Sequence, residues 1–306
     1  MYTGTGILKP KISSKFFEFI SWYFYSFTME LFMSLSGITY GICVNRPDGY
    51  YKNIELIKNK FKRLMIPYYI FGILYVAPIM KRLKITKVSY LEYTIKGIIF
   101  ASNCRHLWYL LALFDIFIFI IILDFLIDGK NKGLPFLVLS VILLVITRKM
   151  PDIMVTQRAS YFLFFFCLGY YLYDKIELIN NFFSEHLILW IILGFLSFPL
   201  SMIRRGVYDE ITLINSIPAI CFFIYLANIC TKLYIFNNFL FEIILKNAIG
   251  IYLIHPMLLY FMYFRYGQKE IKPWILVSAT TSIAFIISLL ICKIFRLLNL
   301  DFIFGE

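Results

Sequence analysis

Charged residues are scarce in this chain: they make up 16% of its 306 residues, whereas soluble domains average about 25%. The chain also lacks the G-x-S-x-G, H-E-x-x-H, Walker and dinucleotide-binding motifs, which argues against the common soluble hydrolases, nucleotide enzymes and zinc proteases. It contains no C-x-x-C pair among its six cysteines, so we interpret these as core thiols and expect no metal site. The sequence therefore does not resemble that of a soluble enzyme.

Long apolar runs make up most of the chain. Hydrophobic residues reach 61% and mean hydropathy is +0.78, and each apolar run is read as a candidate membrane-spanning helix. The runs cover residues 16–42, 64–80, 106–127, 134–147, 159–173, 186–203, 211–230, 247–264 and 274–292. We therefore predict an all-α, polytopic transmembrane bundle of about nine spanning helices, forming a single integral membrane domain over residues 1–306. An odd count places the two termini on opposite sides of the membrane.

The net charge of +12 is the Lys and Arg excess expected in membrane loops. These cations are divided almost evenly between alternate loops, so they do not fix the orientation of the bundle. No soluble basic surface is evident, which argues against nucleic acid as a partner. No cleavable signal peptide is expected, because the first apolar run is too long.

Two acids, Glu30 and Asp115, occur near the middle of apolar runs, where a charge is costly and suggests a function. Glu30, Ser34, Gly37 and Gly41 recur at helical spacing and should share one face of the first span. This small and polar stripe should face protein rather than lipid. Glu30 is then either a hydrogen-bonded packing residue or a carboxylate in a substrate cavity.

Two further segments place cations or rings at the mouths of spans. In residues 58–63, Lys58, Lys60, Lys62 and Arg63 crowd the entry to the second run; they could anchor lipid headgroups or bind phosphates. Residues 105–109 read Arg-His-Leu-Trp-Tyr. Their rings could form an interfacial belt, and His106 could accept a proton.

A histidine also lies inside a late apolar run, where residues 251–256 read Ile-Tyr-Leu-Ile-His-Pro. Pro256 lacks an amide hydrogen and leaves the Tyr252 carbonyl without its helical donor. Tyr252 should share a face with His255. His255 is either a structural, hydrogen-bonded histidine or a titratable group in the bundle.

Taken in order, five strings resemble the membrane-bound acyltransferase family 3, which includes O-acetyltransferases of bacterial surface polysaccharides. The strings are residues 27–37, 60–67, 106–110, 164–170 and 251–256. The resemblance covers nearly the whole chain. It departs in one respect, because the family's first helix, which carries an Arg and a catalytic His, has no counterpart here. The resemblance thus suggests either a truncated chain or a degenerate homologue.

The resemblance implies that an acyl group passes from acyl-CoA to a hydroxyl of a cell-surface glycan or lipid-linked sugar. Acetyl is the acyl group that we expect. The site residues that it implies are Glu30, His106 and His255 for catalysis, Lys60, Lys62 and Arg63 for the CoA phosphates, and Trp108, Tyr109 and Tyr252 for substrate. It implies a bacterial inner membrane protein, embedded in lipid, with a cytoplasmic C-terminus and no bound cofactor. Two alternatives remain: a transporter or polysaccharide-export component that uses Glu30 or Asp115, and a catalytically inactive truncated homologue.

Overall fold

A computed structural model describes residues 10–25, 27–45, 53–127, 132–147, 155–186, 188, 210–232 and 239–305. Every regular element in these ranges is helical, which confirms the predicted all-α fold. The helices are α1 Lys15–Tyr25, α2 Thr28–Val44, α3 Asn53–Arg82, α4 Tyr90–Ile99, α5 Arg105–Leu126, α6 Gly133–Thr147, α7 Thr156–Leu172, α8 Ile176–Glu185, α9 Glu210–Lys232, α10 Phe239–Lys246, α11 Ala248–Tyr266 and α12 Pro273–Leu297, followed by a 3₁₀ turn at Asp301–Phe304.

Five of the described helical stretches are long and apolar enough to cross a membrane: Lys15–Val44, Glu55–Arg82, Arg105–Leu126, Ala248–Tyr266 and Pro273–Leu297. The chain is therefore an integral membrane helix bundle. Two of the other predicted spans, at 134–147 and 211–230, contain shorter apolar helices. The predicted span at 159–173 is helix α7, and the span at 186–203 lies almost wholly outside the described residues.

The stretch Lys15–Val44, which covers the first predicted span, contains two helices with a non-helical backbone angle between them. Helix α1 ends at Tyr25 and α2 begins at Thr28, with Phe27 at a φ of −139° between them. That backbone angle is outside the helical region. The interruption places α2 as a separate helix, and α2 forms one wall of the site described below.

Helix α3 changes its winding twice, and each change precedes a proline. Its segments Phe61–Met65 and Gly72–Val76 are π-helical, and Pro67 and Pro78 follow them. A proline lacks the amide hydrogen and crowds the carbonyl four residues earlier, so the wider π turn accommodates it. The carbonyl that Pro67 leaves without its helical donor belongs to Arg63.

The core lies where α2 crosses α7. Glu30, Ser34, Gly37 and Gly41 are buried, as the helical spacing predicts. Gly37 and Gly169 allow the backbones to touch, because a Cβ on Gly37 would overlap the Phe166 carbonyl and one on Gly169 would overlap the Ser34 carbonyl. The Ser34 hydroxyl donates to the Phe165 carbonyl oxygen over 3.0 Å. We call this contact the α2–α7 crossing.

The two ends of the described chain lie at opposite ends of the bundle. Near the start, the Lys11 ammonium pairs with Glu270 at 2.7 Å, beyond the C-terminal end of α11. At the other end, Gly305 packs against the backbone of Arg63 in α3. The C-terminal turn is thus on the same side as the cations of the 58–63 segment.

Candidate active site

A cavity of about 560 Å³ lies between α2, α3, α5 and α11. Among the described residues, four helices from the N-terminal, middle and C-terminal parts of the sequence supply its wall, and most of its surface is apolar. The lining residues are Met29, Phe32, Leu35, Ser36, Thr39, Tyr40, Cys43 and Val44 from α2; Leu56, Asn59, Lys60, Arg63 and Leu64 from α3; Tyr109, Leu110, Leu113 and Phe117 from α5; and Ala248, Ile249 and Tyr252 from α11. We call this space the central cavity.

Two cations line the central cavity towards its α3 wall. Lys60 and Arg63 are three residues apart and share a helix face. The Lys60 ammonium lies 4.1 Å from the centre of the Phe117 ring, which stabilises a cation by about 0.5–2 kcal/mol. In the described parts of the chain, neither cation lies within ion-pair distance of a carboxylate. This wall therefore suits an anionic ligand.

Only two of the four cations of the 58–63 segment line the central cavity. Lys62 is exposed and does not line the central cavity, and neither does Lys58. A helix turns by about 100° per residue, so adjacent residues point to different sides. Of the three residues expected to bind phosphate, the structure brings Lys60 and Arg63 to the cavity and leaves Lys62 outside it.

Two tyrosines line another part of the central cavity, with ring centres 5.8 Å apart: Tyr109 on α5 and Tyr252 on α11. The Tyr109 hydroxyl lies 3.4 Å from the Ser36 hydroxyl. The Tyr252 hydroxyl donates to the backbone carbonyl of His106. The structure thus brings together Tyr109 and Tyr252, which were both expected to bind substrate.

Trp108, the third residue expected to bind substrate, faces a different helix. Its ring packs on Phe162 of α7 at 5.1 Å, and the Arg158 guanidinium lies 5.8 Å from the ring centre. Trp108 and Tyr109 are adjacent in a helix, so they point in different directions. Trp108 does not line the central cavity.

His106 lies at the start of α5 and contacts the first third of α11. Its Nε2 lies 3.1 Å from the Leu253 carbonyl oxygen, and its ring meets that of Tyr252 edge to face at 5.7 Å. A carbonyl only accepts hydrogen bonds, so Nε2 must carry the proton. In the neutral ring, Nδ1 is then an acceptor, and in the described structure this buried atom has no hydrogen-bond partner.

His255 is held by its own helix. Its Nδ1 lies 2.7 Å from the Ile251 carbonyl oxygen, and the Tyr75 hydroxyl donates to the neighbouring Ile254 carbonyl at 3.0 Å. His255 does not line the central cavity. The helix continues through Pro256, and side chains supply donors to carbonyls in the turn before it.

The mid-span acids also lie away from the central cavity. Glu30 is 3% exposed, and the Tyr161 hydroxyl donates to its Oε1 at 3.5 Å across the α2–α7 crossing. Asp115 is half-buried on α5, and no Asp or Glu occurs among the described residues that line the cavity. The position of Glu30 agrees with the packing interpretation, and within the described residues the transport hypothesis has no carboxylate in this cavity.

Sequence reasoning missed the polar side chains that α2 presents to the central cavity. Ser36, Thr39 and Cys43 all line it, and their spacing of three and four residues places them on one helix face. That face differs from the face of Glu30 and Ser34. The same periodicity identifies this face too, but it carries no mid-span acid that would mark it in the sequence.

Comparison with known protein families matches residues 4–293 to acyltransferase family 3, under the description "Acyltransferase domain". No curated protein and no solved structure matches the chain in the corresponding comparisons. The family match covers nearly all of the chain, and it agrees with the membrane bundle and with the five sequence strings. The chain therefore belongs to acyltransferase family 3 and is a membrane acyltransferase.

Proposed function

We propose that the protein transfers an acyl group, most simply acetyl, from acyl-CoA to a hydroxyl of a cell-surface glycan or lipid-linked sugar, and that transfer takes place in the central cavity. The observation that carries this proposal is a cavity with cations on one wall, which have no carboxylate partner among the described residues, and hydroxyl groups on another wall. Lys60 and Arg63 supply the cations, and Tyr109 and Ser36 supply the hydroxyls.

The dimensions of the cavity support a CoA donor. Lys60 contacts Phe117, and Tyr109 lies eight residues earlier on the same helix. At a rise of about 1.5 Å per residue, these two levels are about 12 Å apart. The pantetheine arm that joins the diphosphate of CoA to its sulfur spans a distance of the same order. Phosphates bound by Lys60 and Arg63 would place the thioester near Tyr109.

The chemistry requires a base for the acceptor hydroxyl. We assign this role to His106. Its side chain does not itself line the central cavity, but its ring contacts the lining residue Tyr252, and its buried Nδ1 is the acceptor nitrogen of the neutral ring. Glu30 accepts from the Tyr161 hydroxyl, and His255 Nδ1 contacts the Ile251 carbonyl oxygen. Neither side chain lines the central cavity. Two hydrogen bonds position His106: its backbone carbonyl accepts from the Tyr252 hydroxyl, and its Nε2 donates to the Leu253 carbonyl.

The side of the membrane follows from the donor. Acyl-CoA is made and kept in the cytoplasm, so the wall of Lys60 and Arg63 would face the cytoplasm of a bacterial inner membrane protein. The C-terminal turn packs against Arg63 and would therefore be cytoplasmic too. This orientation would place the Tyr109 and His106 level towards the opposite face of the membrane, because both residues lie near the start of the spanning helix α5.

The test is the binding of radiolabelled acetyl-CoA to the purified full chain, comparing Arg63→Ala with Lys62→Ala. Both changes remove one cation from the same turn, but only Arg63 lines the central cavity. Loss of a charge-assisted hydrogen bond costs about 1.5–3 kcal/mol, so we expect Arg63→Ala to weaken binding about 10- to 100-fold. Lys62→Ala should stay within about twofold of the wild type.

Two results would count against the proposal. Equal weakening by Arg63→Ala and Lys62→Ala would mean that only the surface charge of this segment matters. No binding of acetyl-CoA by the wild-type protein would remove the donor altogether. A positive binding result is followed by transfer of the labelled acetyl group to extracted lipid-linked glycans, which tests the acceptor.

A further inference from the structure

The two tyrosine hydroxyls of Tyr109 and Tyr252 in the central cavity differ in their hydrogen bonds. The Tyr252 hydroxyl donates to the His106 carbonyl, so its proton is already in use. The Ser36 hydroxyl has one proton and donates it to the Phe32 carbonyl at 2.9 Å. In the contact between Ser36 and Tyr109, the tyrosine must therefore be the donor.

That contact is long. The two oxygens are 3.4 Å apart, whereas hydroxyl-to-hydroxyl bonds usually measure about 2.7–2.8 Å. The Tyr109 proton is thus held weakly and can turn to a better acceptor at little cost. The ring itself is fixed, because it packs on Tyr252 and on Phe32 at 5.8 and 6.4 Å.

We propose that the Tyr109 hydroxyl donates a hydrogen bond to the oxyanion that forms on the acyl carbonyl during transfer, and that Ser36 holds this hydroxyl in the resting protein. This inference rests on the proposed acyltransferase function. A preorganised donor in a cavity with mostly apolar walls is the arrangement that stabilises developing negative charge most strongly. Tyr109 would be a catalytic residue, and Ser36 and Tyr252 would be positioning residues.

The acceptor hydroxyl oxygen forms a bond to the thioester carbonyl carbon, and its proton passes to His106. The carbonyl π pair moves to the oxygen, where Tyr109 donates its hydrogen bond. The carbonyl double bond then forms again and the carbon–sulfur bond breaks. CoA leaves as the thiolate and takes the proton from His106, so no oxidant or further reactant is needed.

The experiment compares the wild type with Tyr109→Phe, measuring acetyl-CoA binding, KM and kcat. Phenylalanine keeps the ring contacts and removes only the donor, so we expect kcat to fall about 10²- to 10³-fold with unchanged acetyl-CoA affinity. Tyr69→Phe is the matched control. It removes a tyrosine hydroxyl from α3, outside the residues that line the central cavity, and should leave kcat and KM unchanged.

A second variant keeps the test decisive if Tyr109→Phe does not fold. Tyr109→3-fluorotyrosine retains the hydroxyl and nearly the same shape, but its phenol is more acidic and a stronger donor. We expect a higher kcat on a glycan acceptor where acyl transfer limits turnover. A kcat equal to that of the wild type would overturn the assignment.

The outcomes separate this inference from the proposed function. If the wild type binds and transfers acetyl while Tyr109→Phe keeps its kcat, the oxyanion role is wrong and the function stands. If Tyr109→Phe loses binding and turnover in parallel, Tyr109 holds the donor and the oxyanion role is again wrong. If the wild type neither binds acetyl-CoA nor transfers acetyl, the proposed function itself fails.

Discussion

Replacing Gly169 by alanine should force α2 and α7 apart at their crossing. The added Cβ would overlap the Ser34 carbonyl oxygen, and that atom belongs to a helix backbone, which cannot rotate away as a side chain can. Separating the helices also stretches the Ser34–Phe165 hydrogen bond of 3.0 Å. The crossing buries Glu30 as well, so its contact with Tyr161 would move.

Three effects determine by how much Gly169→Ala destabilises the folded protein. Alanine favours a helix over glycine by about 1 kcal/mol, which opposes the damage. Overpacking costs about 1–3 kcal/mol, here towards the upper end because the clash is with backbone. The weakened hydrogen bond adds about 1 kcal/mol. We expect a net destabilisation of about 2–3 kcal/mol, which is large against the marginal stability of most folded proteins.

The assay is thermal unfolding of the purified protein in detergent, followed by a thiol-reactive dye. Cys104, Cys167 and Cys292 are buried and become reactive as the bundle opens. Gly133→Ala is the matched control, because a Cβ there meets its nearest neighbour, the Tyr171 backbone, at an ordinary 3.4 Å. A midpoint for Gly169→Ala equal to or above that of Gly133→Ala would refute the close crossing.

Three further outcomes follow from positions in and around the central cavity. Acetyl-CoA should slow the alkylation of Cys43, which lines the cavity, and leave the rate at Cys230 on α9 unchanged; equal rates at Cys43 with and without acetyl-CoA would argue against donor binding there. Gly305→Ala should weaken acetyl-CoA binding, because Gly305 has a φ of +78° and its Cβ would press on the Arg63 backbone; an unchanged affinity in equilibrium dialysis would show that Arg63 is positioned without this turn. Glu30→Gln should lower the unfolding midpoint and keep the acetyl-CoA dissociation constant within about twofold, and a larger loss of affinity would return Glu30 to the site.

The buried face of α2 could be predicted from sequence because helical periodicity fixes which residues share a side. Glu30, Ser34, Gly37 and Gly41 recur at that spacing and are buried together. Their partner could not be predicted in the same way. Helix α7 lies more than a hundred residues later, and pairing such distant segments depends on the shape of both surfaces, which spacing in one segment does not contain.

Neighbouring residues of a motif could not be assigned to the cavity or away from it on sequence alone. Lys62 and Arg63 looked equivalent as cations, and Trp108 and Tyr109 looked equivalent as amphipathic rings. Helix rotation separates each pair, so Arg63 and Tyr109 line the central cavity while Lys62 and Trp108 do not. Composition alone does not distinguish them. The helix face does, once the position of one cavity residue on each helix is known.

The tautomer of His106 depends on a backbone carbonyl of α11. In a membrane, backbone carbonyls need donors from within the protein, and two carbonyls in the turn before Pro256 contact side chains of other helices. His106 Nε2 meets one of them, at Leu253, and Tyr75 donates to the next, at Ile254. The contact with the Leu253 carbonyl fixes the tautomer of His106, because a carbonyl only accepts, and it leaves Nδ1 as the acceptor nitrogen.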